Sequence, residues 1–509
     1  MRIKNAMMNS SSVVVQKLIE IILSFVFRTV LIRTLGTTYL GLSSLFTNIF
    51  TILSLMELGV GSSIVFLMYK PLNDKKYDEL NSLLKVYSKF YTIVGILVAI
   101  IGVVLIPFLP FIIKEYNSLT INLVPIYIFT LLNVVSSYFL AYRRSLLEAD
   151  QKAYINNINY SIFNIIGTLL RIVSLFIFKN YVLTLIITFI CTILSNVVIY
   201  FKTNKIYPFL KNRKKKKLSK SKTKELIKRM MASTMHQIGN IIVTSTDNII
   251  ISAFIGVTIV GYYSNYTMMT GIIYSMFSLI FCSITANVGN MKLVESKEKS
   301  LDVYNRLFFL NFYLYFVSCT IFFSCINNFI VLWIGEEYLL GTDILFVITL
   351  SLYITGLRHV PVTFINSSGL NYNTRYKAIV EAVLNLVISL VLVKWLGIVG
   401  VVLGTIISFA VVSIWFEPYI LYKHWFGKGL FKYYLKYFGY ICLTVCVMFL
   451  LSYLVSLISS TSILWFILKA ILSFVFVNLI IIMLFFRTDE FKYYIDLIKS
   501  LLSKIRKKA

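Results

Sequence analysis

Apolar runs of about 20 residues or more, the length an α-helix needs to cross a bilayer, recur from one end of this chain to the other. No water is available in hydrocarbon to satisfy an open backbone, so such runs must be helices. Fourteen candidate spans can be drawn, near 10–33, 40–68, 86–113, 121–142, 157–178, 181–201, 231–254, 259–286, 306–328, 343–366, 376–394, 397–419, 437–458 and 463–486. The chain is 58% apolar and 14% charged, whereas soluble domains carry roughly 25% charged residues. The expectation is an all-α integral membrane protein. The first run is not a secretory signal, because it is longer than an h-region, is charged and lacks a small-residue cleavage site.

The net charge of +28 does not point to nucleic acid once its placement is considered. With an even number of spans, one face receives the N-terminus, the loops at 70–85, 143–152, 202–229, 292–306, 375–377 and 423–436, and the tail from Arg487. That face holds 39 of the 49 Lys and Arg. The opposite face holds only Arg33, Lys114, Lys179 and Lys394. By the positive-inside rule both termini are cytoplasmic. The six cysteines all lie in apolar spans, which suggests neither a metal site nor a disulfide framework.

The basic stretch KNRKKKKLSKSKTKELIKR (211–229) separates six spans from eight. The expected organisation is an N-lobe at 1–201, a basic linker at 202–230 that also meets anionic lipid, and a C-lobe at 231–420. Two further spans follow at 421–486, then a basic tail at 487–509. An internal repeat supports two pseudo-symmetric lobes of six helices. LGTTYLGLSSLF after the first span and IGVTIVGYYSNY after the seventh share Gly-x4-Gly (Gly36 and Gly41, Gly256 and Gly261). Ser44 and Ser264 follow at the same offset of 220 residues. Each copy follows an outward-going span, the arrangement of parallel repeats around a central cavity in alternating-access transporters.

The first span, VVVQKLIEIILSFVFRTVLIR (Val13 to Arg33), carries Lys17, Glu20 and Arg28. Such charges cost at least ~2.5–3.5 kcal/mol each at mid-membrane on insertion scales. On a helix Lys17, Glu20, Ser24 and Arg28 fall within roughly 80° of one another. The same holds for His236, Asn240, Thr244 and Asp247 on the seventh span. Under the repeat register Arg28 corresponds to Asn248. Two polar stripes facing each other across a pseudo-two-fold axis would enclose a polar pathway. Arg171 on the fifth span and Glu57 on the second join this set. Lys17 and Glu20 also fit an ion pair at i, i+3. Lys89, Arg358 and Glu381 are placed near the cytoplasmic interface, as is Glu417 beside Pro418.

There is no Gly-rich phosphate loop with a Lys, no nucleophile elbow and no sizeable extramembrane domain. An enzyme is therefore not expected, and no cofactor is implied. Energy would come from an ion gradient, the membrane potential or the substrate's own gradient.

Four stretches carry a family resemblance: LGTTYLGLSSLF, ELGVGSSIVFLMYKPLNDKKYDEL, HQIGNIIVTSTDNIIISAFIGVTIVGYYSNY and LWIGEEYLLGTDIL. Across roughly 1–420 the chain resembles the bacterial O-antigen and capsule repeat-unit flippases. These belong to the multidrug/oligosaccharidyl-lipid/polysaccharide exporter superfamily. The resemblance implies translocation of an undecaprenyl-diphosphate-linked oligosaccharide from the cytoplasmic to the outer leaflet. It also implies a cationic cavity bounded by the first, second, seventh and eighth spans. Arg28, Lys17 and Arg171 would meet the diphosphate, while Glu20, Glu57, Asp247, His236 and Asn240 would supply the acidic and polar positions. Coupling by Na+ or H+ stays open, as does partnership with a polysaccharide polymerase and assembly proteins. Three rivals remain: a lipid II flippase, a multidrug extruder of the same superfamily, and an integral-membrane glycosyltransferase or polymerase. The last would need a large outward loop with catalytic residues, and the longest here offers only Glu336, Glu337 and Asp343.

Overall fold

The computed structural model describes residues 2–57, 60–114, 116–140, 142–211, 239, 241–370, 373–374, 376–458 and 462–506. These are overwhelmingly helical, with no strand among them. Nine helices among the described residues are long and apolar enough to cross a membrane by themselves. Within the described residues, each of the fourteen expected spans coincides with a helix or a broken pair of helices, the seventh being described as Ile241–Phe254. The chain resolves into two compact units, Met1–Ser264 and Asn265–Ala509.

The N-terminal unit contains α1 (Arg2–Leu35), α2 (Thr37–Leu53), α3 (Val60–Asn73), α4 (Tyr77–Val104), α5 (Leu123–Tyr138) and α6 (Tyr142–Ala149). α7 (Ala153–Phe178), α8 (Tyr181–Ile206), α9 (Ile241–Phe254) and the start of α10 (Val257–Val294) complete it. The second expected span is broken, since α2 ends in a single 3-10 turn, Ser54–Glu57, before α3 begins. α1 runs along α7 and is pinned at one end by amides. Asn9 Nδ2 donates to the Gln151 carbonyl (3.0 Å), Asn9 Oδ1 accepts from the Tyr154 N–H (2.9 Å), and Asn157 Nδ2 donates to Ser12 Oγ (3.0 Å).

The segment 143–152, expected as a loop, is largely helix α6. Its Leu146 and Leu147 are fully buried. α6 bends 44° away from α5.

The C-terminal unit holds the rest of α10, then α11 (Lys297–Trp333), α12 (Thr342–Leu357), α13 (His359–Ser368), α14 (Lys377–Ser408) and α15 (Ile414–Leu421). α16 (Leu430–Ser456), α17 (Ile463–Phe485) and α18 (Asp489–Arg506) follow. The eleventh and twelfth spans are two arms of α14. The chain reverses at Gly397, whose φ of 58° and ψ of −131° are open only to glycine. The arms lie close enough for Asn385 Nδ2 to donate to Thr405 Oγ1 (2.8 Å) and Ser389 Oγ to the Val401 carbonyl (3.0 Å). Gly400 and Gly404 permit this, because a Cβ at either would strike Leu392 or Ser389.

Two π-helical segments, Phe409–Ser413 and Tyr422–Phe426, flank α15. The core of this unit is aromatic, with Tyr304, Phe308, Phe312 and Phe316 at most 2% exposed. Phe312 stacks on Tyr440 with centroids 3.8 Å apart. Lipid is as apolar as these rings, so their burial stabilises through close packing rather than release of water.

Candidate functional site

The repeat seen in the sequence meets itself inside the N-terminal unit. Gly36 (φ 88°) turns the chain from α1 to α2, and Gly256 (φ 144°) turns it from α9 to α10. A Cβ on Gly41 would run into the Val257 carbonyl, and a Cβ on Gly261 would run into the Thr37 carbonyl. Thr38 and Thr258, 220 positions apart, share a hydrogen bond between their hydroxyls at 3.1 Å. Residue i of one copy touches residue j of the other while j touches i, which is the mark of a two-fold contact.

Below this contact, α10 receives both charges that the polar stripes singled out. Arg28 Nη1 donates to the Ser264 carbonyl at 2.6 Å. The Tyr263 hydroxyl donates to Asp247 Oδ2 at 3.5 Å. Arg28 and Asp247 thus contact neighbouring residues of one helix. Asp247 Oδ1 and Asn248 Oδ1 are buried acceptors with no hydrogen-bond partner. Such acceptors are costly in a dry interior unless something is bound to them.

Arg171 lies beside the same part of α1. Its guanidinium sits 4.3 Å from the Phe27 ring centroid, and Nη2 donates to Thr168 Oγ1 at 2.6 Å, leaving a buried Nε unpaired. Lys17 and Glu20 form the i, i+3 pair at 3.5 Å, with side chains 40% and 26% exposed, and Gln16 Nε2 donates to Glu20 Oε1 at 2.9 Å. Tyr160 stands within electrostatic reach of Glu20, Arg144 and Arg171. Arg144 was hidden from sequence reading, because RR in YRRSLLEA counted as loop charge. The structure puts it on α6, donating from Nη2 to Asn196 Oδ1, with its own Nε buried and unpaired. The signal was there, since two Arg followed by Leu-Leu is amphipathic at helical period. His236, Asn240 and the Glu57 side chain lie outside the described residues. Among those described, no group of three or more His, Cys, Asp or Glu gathers that could hold a metal.

In the C-terminal unit Arg358, Glu381 and Glu417, expected near the cytoplasmic interface, are brought together, and both acids are 2% exposed. Arg358 grips Glu417 with two donors, Nη2 to Oε1 at 2.9 Å and Nε to Oε2 at 3.3 Å, and reaches Glu381 with Nη1 at 3.4 Å. Lys377 Nζ lies 3.4 Å from Glu381 Oε2 and also contacts Glu417 Oε1. The Ser413 hydroxyl donates to Glu381, and the Phe409 ring lies 4.4 Å from the guanidinium. The π segments on both sides of α15 accommodate Pro418, so the helix continues past it. Lys89, placed with them, is exposed.

The model of a family described as polysaccharide biosynthesis proteins matches residues 6–285. No curated protein sequence matches the chain. Its fold is similar to that of the lipid II flippase MurJ in an inward closed conformation, at 17% identity, covering 94% of this chain and 100% of that one, with TM-score 0.65. It is also similar to an inward-facing multidrug resistance MATE family transporter of the MOP superfamily, at 14% identity, covering 80% and 94%, with TM-score 0.63. The Vibrio cholerae MATE transporter VcmN aligns at 14% identity over 84% and 99%, with TM-score 0.56. The fold is therefore that of MOP-superfamily transporters. The family match runs through both copies of the repeat and over more than half of the sequence, and the chain belongs to the polysaccharide biosynthesis protein family.

Proposed function

We propose that the protein is a flippase that moves an undecaprenyl-diphosphate-linked oligosaccharide from the cytoplasmic to the outer leaflet of a bacterial inner membrane. It would do so by alternating access and would supply surface polysaccharide, capsule or O-antigen. The observation that carries this reading is Arg171, whose buried Nε donor has no acceptor. A guanidinium in a water-poor setting with donors to spare needs an anion, and a diphosphate offers several oxygens with the charge to match. Arg28 on the neighbouring stripe adds a second cation, and Lys17 a third nearer one end. Asp247 and Asn248, with unpaired oxygens, are where a coupling Na+ or H+ would be held. Glu20, Glu57, His236 and Asn240 would complete the polar lining.

With both termini cytoplasmic, the Gly41–Gly261 contact is the outer gate in its closed form. A lipid II substrate would present the same diphosphate and differ only in the glycan. Purified protein reconstituted into vesicles should expose an undecaprenyl-diphosphate oligosaccharide to an enzyme on the opposite side. Vesicles that translocate only lipid II, or only small cationic drugs, would overturn the proposal.

A further inference from the structure

The last helix, α18 (Asp489–Arg506), is tied to the end of a membrane span. Only Phe486, Arg487 and Thr488 separate it from α17, and hydrogen bonds close that turn. The Thr488 N–H and hydroxyl both donate to the Phe485 carbonyl, at 2.9 Å and 2.8 Å. The same hydroxyl accepts from the Phe491 N–H at 3.4 Å, as an N-cap does. α18 therefore begins at the level where α17 leaves the hydrocarbon.

The first two turns of α18 are fastened to the C-terminal unit. Lys436 Nζ on α16 meets Glu490 Oε1 at 2.6 Å. The Tyr494 hydroxyl donates to the Arg306 carbonyl on α11 at 3.1 Å, and the Arg306 guanidinium lies 4.1 Å from the Tyr493 ring centroid. Farther along, the apolar side of the helix is uncovered. Leu497, Ile498 and Leu502 are 40%, 51% and 61% exposed. On a helix they share one side, within about 160°, with Phe491, Tyr494 and Ile495.

The charges are sorted around that side. Lys492 and Lys499, both exposed, stand just past its edge, whereas Asp489 and Asp496, also exposed, lie opposite it. Further on, the sequence adds Lys504, Arg506, Lys507 and Lys508 with no acid among them. Cations beside the apolar side and acids away from it suit a helix lying in a headgroup layer. The lysine stems run along hydrocarbon, their ammonium groups reach lipid phosphates, and the carboxylates face water. Two copies of α18 meeting by this side would instead bring their lysines together.

We propose that α18 is an amphipathic anchor that binds the anionic phospholipid surface of the leaflet at which α17 ends. Ile498 and Leu502 enter the acyl boundary, and Lys492 and Lys499 meet the phosphates. The anchor goes beyond the flippase reading and does not depend on it.

Spin labels on the full-length protein test this, with its six cysteines replaced by alanine and single cysteines placed at Ile498, Ser500, Leu502 or Ser503. In nanodiscs of phosphatidylcholine mixed with phosphatidylglycerol, an aqueous nickel chelate should reach the labels at 500 and 503 and be shut out from those at 498 and 502. In phosphatidylcholine alone the protection should weaken. Lys492→Gln and Lys499→Gln should each shift the balance between docked and undocked helix by about fivefold in the anionic discs, the worth of one basic residue near such a surface. Slower hydrogen exchange of residues 497–503 in the anionic discs answers the same question in the unaltered chain, should the cysteine-free background melt early. Equal nickel access at all four positions would overturn the proposal. So would protection that is the same in both lipids and indifferent to the two lysines. Protection seen only when several copies share a vesicle would assign this side to a second copy and overturn it too.

Discussion

In the C-terminal unit, Arg358, Lys377, Glu381 and Glu417 neutralise one another in a buried quartet. In the N-terminal unit, Arg171 donates to a neutral hydroxyl and keeps a buried Nε without an acceptor. The two regions lie in similar helices of the same chain and both carry a cost for taking charge out of water. The quartet has nothing left to offer a ligand. It holds α14, α15 and the α12–α13 junction together, and its loss should be felt as misfolding. Arg171 keeps a donor to spare, and its loss should be felt as lost transport.

The largest effect should follow from opening the quartet. Arg358→Ala leaves two buried carboxylates facing one lysine, a change that costs about 3–5 kcal/mol when a buried pair is broken. Membrane abundance and melting temperature should both fall sharply. Arg358→Met together with Glu417→Met removes one charge of each sign and should recover most of the loss. A double variant as unstable as the single one would show that the quartet does more than neutralise itself.

Next comes the repeat contact. Thr38→Cys with Thr258→Cys, placed where the hydroxyls are 3.1 Å apart, should crosslink on oxidation, stop transport almost completely and release it on reduction. Undiminished transport in the crosslinked protein would show that this end does not open during the cycle.

Arg28→Ala and Arg171→Ala should each weaken transport roughly ten- to a hundredfold at normal abundance, the affinity equivalent of one hydrogen bond to a charged group. Arg28→Lys should keep part of the activity, since it retains the charge but not the fork of donors. If Arg28→Gln with Asp247→Asn restores what Arg28→Ala loses, the arginine is structural, and the contrast between the units collapses. The smallest effect belongs to Lys17. Its pair with Glu20 has side chains 40% and 26% exposed, so Lys17→Ala should shift stability by no more than about 1 kcal/mol.

Much of this was legible in the sequence because it is periodic or repeated. Spans announce themselves by length, the stripe of Lys17, Glu20 and Arg28 by helical spacing, and the pseudo-symmetry by two glycines at a constant offset. The quartet was not legible. Lys377 and Glu381 sit one turn apart, but Arg358 and Glu417 lie far from them in the chain, and Glu417 joins them because α14 doubles back at Gly397 and π-helical segments let the chain run through Pro418. Neither a reversal within an apolar run nor a π segment has a composition that separates it from ordinary helix. Arg144 was missed for another reason. Charge counting treats every arginine between spans as loop, while α6 buries its leucines and packs as part of the unit.

The meeting of Gly41 with the Val257 carbonyl, and of Gly261 with the Thr37 carbonyl, is made almost wholly of main chain. A seal of this kind has few side chains to desolvate when it forms and few to hydrate when it parts, so the difference in free energy between shut and open stays small. It contains no ionisable group, so its balance should be nearly indifferent to ionic strength and to pH. In the cycle proposed above, whatever drives this end apart would act from elsewhere, through charge movement at Asp247 or through the ligand on the arginines. Because each half of the seal mirrors the other, a bulkier residue at either glycine holds the same gap ajar. Gly41 and Gly261 are therefore the positions at which a single methyl group would turn a transporter into a leak.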